Sequence, residues 1–242
     1  MRIAVISDIH SNLRALEAVL ASIGTVDALW QLGDVVGYGP DPDAVVARLR
    51  QVGAIGVRGN HDAAAAGYVS TDDFNVDGRL ALEWTRAQIS PETSAYVAAL
   101  PERRVPEGSD FTLVHGSPRD PIWEYLVDTW AARENLSAFA TAFCLNGHTH
   151  VPLVLGERRG HVEAIAVASK SRIDLDSGRA FLNPGSVGQP RDGDPRASYM
   201  VIDTDARVVT WQRVSYDIEA TQAAMLEAGL PHRLARRLSH GM

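Results

Sequence analysis

The chain has 242 residues, 45% hydrophobic and 22% charged, with 30 Asp and Glu against 23 Lys and Arg and a formal charge of -7. These fractions exclude global disorder, and a single cysteine, Cys144, excludes an internal disulfide scaffold and a thiolate zinc cage. The acidic balance disfavours long nucleic acid, whose binding needs many Lys and Arg contacts to phosphate.

Ile3-Ala4-Val5-Ile6 is a short apolar run that breaks off at Ser7-Asp8, as a buried strand does. Asp8 comes too early for a signal-peptide core to form, and no later stretch approaches the roughly 20 apolar residues that cross a bilayer. A cytoplasmic protein with no membrane partner is expected. Ser11-Asn12 opens a helix, with Leu13, Leu16, Val19, Leu20 and Ile23 at three- and four-residue spacing and Gly24 at its end. A second strand over 28–32 runs into Gly33-Asp34. A helix follows Asp41-Pro42, with Val45, Val46 and Leu49 on one face, and a third strand over 54–57 delivers Gly59-Asn60-His61-Asp62. Strand, helix, strand, helix, strand is the grammar of a parallel α/β unit whose strand ends carry polar loops.

Residues 63–100 are rich in alanine, lack strand alternation and are expected to be helical, an insertion or cap-like region. Beyond Pro101 the order changes. Three hairpins are expected: 103–105 with 110–114, 151–155 with 161–167 around residues 157–160, and 198–203 with 208–214. A helix near 130–139 leads to a strand over 142–145, and one terminal helix follows Asp217-Ile218-Glu219. No repeat, low-complexity tract or linker divides the chain. One domain over 1–242 is expected, two packed sheets with helices outside.

Five loops place residues able to hold a metal ion just after an apolar strand. They are Ser7-Asp8-Ile9-His10, Gly33-Asp34, Gly59-Asn60-His61-Asp62, Val114-His115-Gly116 and Gly147-His148-Thr149-His150, and they take five of the 8 histidines. Singly, each has an ordinary reading: a Gly-Asp turn, an Asn or Asp helix cap, a core histidine. Gly-His-Thr-His is stronger, since alternate residues of an extended loop point the same way. Strand ends of α/β folds converge in space, so all five together point to one shared metal site.

In this order, spread from Asp8 to His150, the set resembles the calcineurin-like metallophosphoesterases. The resemblance extends to Gly33-Asp34-Val35-Val36-Gly37-Tyr38-Gly39-Pro40 and to residues 183–191, which look like the small bacterial and archaeal phosphodiesterase branch. It implies an α/β fold, a four-layer α-β-β-α sandwich with two mixed central sheets and a dinuclear metal site at the strand ends. By the same resemblance Asp8, His10 and His150 would hold one ion, and Asn60, His115 and His148 the other. Asp34 would bridge them, with a water or hydroxide as a second bridge. Carboxylate and imidazole donors suit two divalent ions, Mn2+ first, with Fe, Ni or Zn as alternatives. Such a pair lowers the pKa of a water and clamps phosphoryl oxygens.

His61 would face the substrate rather than a metal, as the catalytic residue that protonates the leaving oxygen or stabilises the transition state. Where related phosphatases place an arginine after Gly-Asp, this chain has Tyr38, which makes a phosphoprotein substrate less expected and Tyr38 a candidate substrate contact. Arg191 is a second candidate, against its reading as a surface arginine. Asp62 either orients His61 or caps a surface helix. Trp123 and Tyr125 either wall the cleft or pack onto the core or a partner subunit. Arg233, Arg236 and Arg237 read as a solvated basic face.

The expected activity is hydrolysis of small phosphodiesters, nucleotide-derived ones among them, with phosphomonoesters as further substrates and a homo-oligomer left open. The alternatives are a nuclease of the same superfamily and a non-catalytic binding scaffold on the same fold.

Overall fold

A computed structural model describes residues 1–175 and 178–242 of the chain. β1 (Arg2–Ile6), β2 (Ala28–Gln31) and β3 (Ile55–Gly56) are parallel neighbours, linked through α1 (Leu13–Ile23) and α2 (Pro42–Gln51). Asn12 starts α1 by accepting from the Ala15 N–H, one of the donors a helix leaves unpaired at its first turn. On the other side of β1, β11 (Ala197–Asp203), β12 (Val208–Val214) and β9 (Arg172–Asp174) add antiparallel, giving the order β3-β2-β1-β11-β12-β9.

The second sheet also mixes directions. Its order is β4 (Arg103–Arg104), β5 (Phe111–Val114), β6 (Phe143–Leu145), β10 (Ala180–Asn183), β7 (Leu153–Arg158) and β8 (His161–Ala166). β5, β6 and β10 run parallel, and the two edges are antiparallel hairpins.

Alternation along the strands explains the layering. Ile3, Val5 and Trp30 face inward against Leu113, Phe143, Leu145 and Leu182 of the second sheet, while Ala4, Ile6 and Leu29 face outward. The outward set meets Leu16 and Val19 of α1, Val45 and Leu49 of α2, and Val97 of α5 (Pro91–Ala99). Outside the second sheet, Val114, Cys144 and Phe181 pack on Ala132 of α6 (Thr129–Asn135) and on Phe139. Both faces of the central strands are buried, so they read as unbroken apolar runs. The α/β four-layer sandwich with two mixed sheets is the observed fold.

Several elements differ from expectation. Residues 63–100 are largely helical, but α5 belongs to the outer layer of the first sheet and α4 (Val76–Gln88) packs through Ala81 on the C-terminal helices. The single terminal helix is two, α7 (Ile218–Glu227) and α8 (His232–Leu238), interrupted at Gly229 with φ 75° and at Pro231, which supplies no N–H. β7 and β8 extend to a two-residue turn, Arg159-Gly160, both with positive φ. β9 and β10 lie outside the expected set, being too short at three and four residues to show a period. Among the described residues, no helix is long and apolar enough to cross a membrane.

Candidate metal centre

The five loops meet where the C-terminal ends of β1, β2, β3, β5 and β6 face one another across the two sheets. The first two loops run side by side: the N–H groups of Asp8, His10 and Ser11 donate to the carbonyls of Gly33, Asp34 and Val35 at 3.1, 2.9 and 3.0 Å. A tight backbone path is needed to turn side chains inward. Among the described residues ten non-glycine positions have positive φ, and five of them are candidate ligands: Asp8, His10, Asp34, His148 and His150. Each left-handed residue costs roughly 1–2 kcal/mol, so this strain is concentrated at the site.

Burial is nearly complete; Asp8, His10, Asp34, Asn60, His115, His148 and His150 are all at most 4% exposed. Their geometry divides them in two. Around one point lie His10, His150, Asp8 and Asp34: His10 Nε2 is 3.2 Å from His150 Nε2 and 3.5 Å from Asp34 Oδ2, and His150 Nε2 is 3.3 Å from Asp8 Oδ1. Around the other, His115 Nε2 is 3.0 Å from Asn60 Oδ1, 3.1 Å from His148 Nδ1 and 3.4 Å from the same Asp34 Oδ2. Asp34 is thus common to both sets. Its other oxygen, Oδ1, accepts from the His61 N–H at 2.9 Å, which fixes the carboxylate plane.

These residues fit cations. The outer nitrogen of each ring faces a backbone carbonyl: His10 Nδ1 to Val36 at 3.3 Å, His115 Nδ1 to Leu32 at 2.8 Å, His148 Nε2 to Trp123 at 3.1 Å and His150 Nδ1 to Gln189 at 2.6 Å. A carbonyl only accepts, so the ring proton sits on the outer nitrogen and the inner nitrogen presents a lone pair. In the neutral rings lone pair then meets lone pair between His10 and His150, while His148 Nδ1 and the Asn60 oxygen converge on His115 Nε2. Asp8 Oδ1, buried beside them, has no hydrogen-bond donor. A divalent ion at each point would reconcile the donors; without one, a proton on His115 Nε2 serves the second set.

The acid–base behaviour of the metal-free residues sets His115 apart from the other three rings. Burial drives the pKa values of His10 and His150 well below the ordinary value and that of His148 down to about 3, so these rings are neutral at pH 7. Burial opposes charge on His115 too, but Asp34 beside it outweighs burial and raises the ring to about 9. For Asp34, the same His115, with His61, overcomes burial and holds the carboxyl well below its usual range. Burial pushes Asp8 up to about 7.

Gly-His-Thr-His is not an extended loop with both rings on one side, as expected. His148 and His150 have φ of 66° and 60°, and their rings go to different donor sets. Asn183, at the end of β10, holds this loop through Gly147 O and Thr149 Oγ1 at 2.8 and 3.1 Å. Ser186 and Gly188 grip the Asp8 carbonyl from behind, which gives the 183–191 segment a positioning role.

Asp62 does not touch the His61 ring. It is fully buried, and its carboxylate accepts from Val36 N and Gly59 N, both at 3.0 Å, tying the start of α3 (Asn60–Ala65) to the Gly33–Gly37 loop. His61 lines the cleft over the metal residues, its ring 4.8 Å from His10 and 4.3 Å from Tyr38. Burial lowers its pKa to about 4. Gly37, with φ 93°, backs the ring so closely that a Cβ there would lie 2.4 Å from Nδ1.

The cleft has a volume of about 260 Å³, and its rim includes both substrate candidates. Tyr38 is 7% exposed, and Arg191 is half-buried with its guanidinium 5.8 Å from the Tyr38 ring. Beside Asp73, Asn75 and Arg237, the rim carries three aromatic rings. Phe74 bridges His61 and Trp123 at 4.9 and 5.2 Å, and Tyr125 stacks on His148 at 3.9 Å. Phe74 and Arg237 are cleft residues that sequence reasoning does not find, and Arg237 is half-buried there rather than on a solvated face. Neither carries a motif; their place depends on how 66–75 and α8 fold back over the strand ends. Arg58 lies apart, bonded to Glu102 and the Ala98 carbonyl and stacked over Tyr68.

The whole chain has clear relatives. An uncharacterised protein of Methanocaldococcus jannaschii is 37% identical over 99% of this chain and 98% of its own length. Phosphodiesterase YfcE of Escherichia coli is 30% identical over 85% of this chain and 89% of its own. The crystal structure of a metallophosphoesterase from Sphaerobacter thermophilus superposes with a TM-score of 0.91 at 49% identity, covering 100% of this chain and 99% of that one. Residues 1–207 match the calcineurin-like phosphoesterase superfamily domain, and with these relatives and this site the chain belongs to that superfamily.

Proposed function

We propose that the protein is a metal-dependent phosphodiesterase acting on small, nucleotide-derived diesters, with phosphomonoesters as secondary substrates. One observation carries the reading: two sets of inward-facing lone pairs share a single carboxylate oxygen, Asp34 Oδ2, beneath His61 in an open cleft. Asp8, His10, Asp34 and His150 would hold one divalent ion, and Asp34, Asn60, His115 and His148 the second. Mn2+ suits these imidazole and carboxylate donors, with Fe, Ni and Zn next. When bound, such ions supply Lewis acidity, activate water and neutralise the phosphate charge.

The protein's own groups do the rest. The Nδ1 of His61 is buried without a partner, which leaves Nε2 as the nitrogen available to the substrate. A neutral ring protonated at Nε2 donates a hydrogen bond to a substrate oxygen and stabilises the charge that develops there in the transition state. Arg191 adds a fixed positive charge at the rim. Phe74, Trp123 and Tyr125 wall the cleft against water and offer ring faces to a base or aryl group.

The test is hydrolysis of bis(p-nitrophenyl) phosphate, p-nitrophenyl phosphate, cyclic nucleotides and dinucleoside polyphosphates by chelator-stripped protein, alone and with Mn2+, Ni2+, Mg2+ or Zn2+. Activity is expected only with metal, and highest on diesters. Undiminished hydrolysis in the stripped protein would sink the proposal. His61→Asn is expected to bind metal normally while kcat falls about 10²–10⁴-fold. Cleavage of single- or double-stranded DNA at low salt faster than of the small diesters would replace this reading with a nuclease.

A further inference from the structure

The cleft over the metal residues is the smaller of two that adjoin. Next to it lies one of about 830 Å³, lined on one side by Arg233, Arg236 and Arg237 of α8 and on the other by Asn75, Val76 and Asp77. Asn75 and Arg237 line both clefts. The arrangement is a product of packing: Leu230, Leu234 and Leu238 bury the apolar face of the C-terminal helices against Tyr38 and Ala81, which leaves the arginines along the groove.

Acidic side chains do little to neutralise these cations. Among the described residues Asp77 is the one carboxylate side chain lining the larger cleft, and its contact with Arg233 is a loose 3.9 Å. Arg236 has no carboxylate within 4.0 Å among the described residues. Arg237 donates to a main-chain oxygen of Met242, and Arg191 to the uncharged amide oxygen of Gln189 at 2.7 Å. Burial, and then the neighbouring Arg191 and Arg233, depress the Arg237 guanidinium below its ordinary value. Like charges gathered in a groove repel one another until an anion joins them.

We propose that the second cleft is a subsite for a further phosphate on the substrate. The molecule would be a nucleotide-derived diester whose scissile phosphorus lies over the metal residues and whose second, non-scissile phosphate is held by Arg236 and Arg237. Guanidinium forks match phosphate oxygens two at a time, which a solvated lysine face would not do. The proposal rests on the phosphodiesterase reading above and narrows it to diesters bearing a second phosphate.

Matched probes separate the two. The p-nitrophenyl ester of thymidine 5′-phosphate, with and without a 3′-phosphate, releases the same nitrophenolate from two substrates that differ by one anion. With metal-loaded protein, KM is expected to be about tenfold lower for the 3′-phosphorylated ester, with similar kcat. In Arg236→Ser/Arg237→Ser that advantage is expected to vanish, and lysine at both positions to restore part of it. Arg236 is exposed, so Arg236→Ser alone keeps the test decisive if the double variant misfolds. Calorimetry of thymidine 3′,5′-bisphosphate against thymidine 5′-monophosphate reads the same preference without turnover. Equal KM values in the parent protein, or loss of both substrates by one common factor in the variants, would overturn the subsite. Absence of nitrophenolate from both esters would instead overturn the phosphodiesterase reading. Calorimetry then decides the subsite alone, and no preference for the bisphosphate rejects it.

Discussion

On the floor of the cleft, the four imidazoles of the two donor sets each have one nitrogen tied to a backbone carbonyl, and the loops that carry them are bonded to one another. On the rim, Phe74, Trp123 and Tyr125 are placed by ring contacts, and Arg191 and Arg237 rest on the Gln189 amide and a main-chain oxygen of Met242. The floor is built from strand ends that the sheets hold rigidly. The rim comes from the segment before α4, the 117–125 loop, the end of the 183–191 segment and the C-terminal helices, and α7 and α8 lie beyond the part of the chain that matches the superfamily domain. A floor so constrained can keep one chemistry while a rim of side chains changes what is bound.

The sharpest way to break this contrast is to alter the shared carboxylate. Asp34→Asn removes the charge common to both donor sets while keeping its shape; metal content is expected to fall below one ion per chain and kcat by more than about 10³-fold, with the circular dichroism spectrum unchanged. Near-normal metal content would show that Asp34 is not shared. Next comes the backbone of the floor. A Cβ at Gly59 would lie 2.1 Å from Asp34 Oδ1 and 2.5 Å from Asp34 N, so Gly59→Ala must shift that loop. It is expected to cost about 10²-fold in kcat, far more than its one methyl group would on the rim.

Loading itself carries a proton signature. His115, held near 9 by Asp34, is protonated at pH 8, whereas Asp8, near 7, is mostly ionised. A metal ion needs the His115 lone pair, so binding at pH 8 is expected to release about one proton per chain, measured by calorimetry in buffers of different ionisation enthalpy. No release would mean that His115 is already neutral.

The smallest effect belongs to the rim. Glu124 accepts from Asn135 at 2.9 Å and from Ser117 and Arg119, and these donors overcome desolvation to hold its carboxyl below the usual value. A depressed carboxylate stabilises the fold above its unfolded-state pKa and loses that contribution as pH falls through the folded value. Glu124→Gln is therefore expected to cost about 1 kcal/mol at pH 7, with the difference shrinking toward zero in acid, read from denaturation midpoints. A difference that grows in acid would contradict the assignment. Metal content should not change.

Much of the floor is legible in the residue order. Asp8, Asp34 and the histidines stand just after apolar strands, and parallel strands bring such ends together for reasons independent of detail. β10 is not legible there, although Asn183 at its end holds the Gly-His-Thr-His loop, because four residues show no period. Sequence alone leaves Asp62 as a partner of His61 or a surface cap, and only its burial between Val36 and Gly59 shows a cap inside the fold. Arg237 reads as solvated because α8 shows its charges in sequence but not the packing against Tyr38 that turns them toward the cleft.

From residue order alone come the donor types, their number and the family's chemistry, since Asp, Asn and His keep their ligand atoms in any fold. Which nitrogen of each ring faces inward is a tertiary matter. It is chosen by carbonyls 26, 83, 25 and 39 residues away, on loops that any residue's backbone could supply. The left-handed backbone at five of the ligands is likewise invisible in their side chains, and it is this geometry that splits one cluster of residues into two donor sets around Asp34.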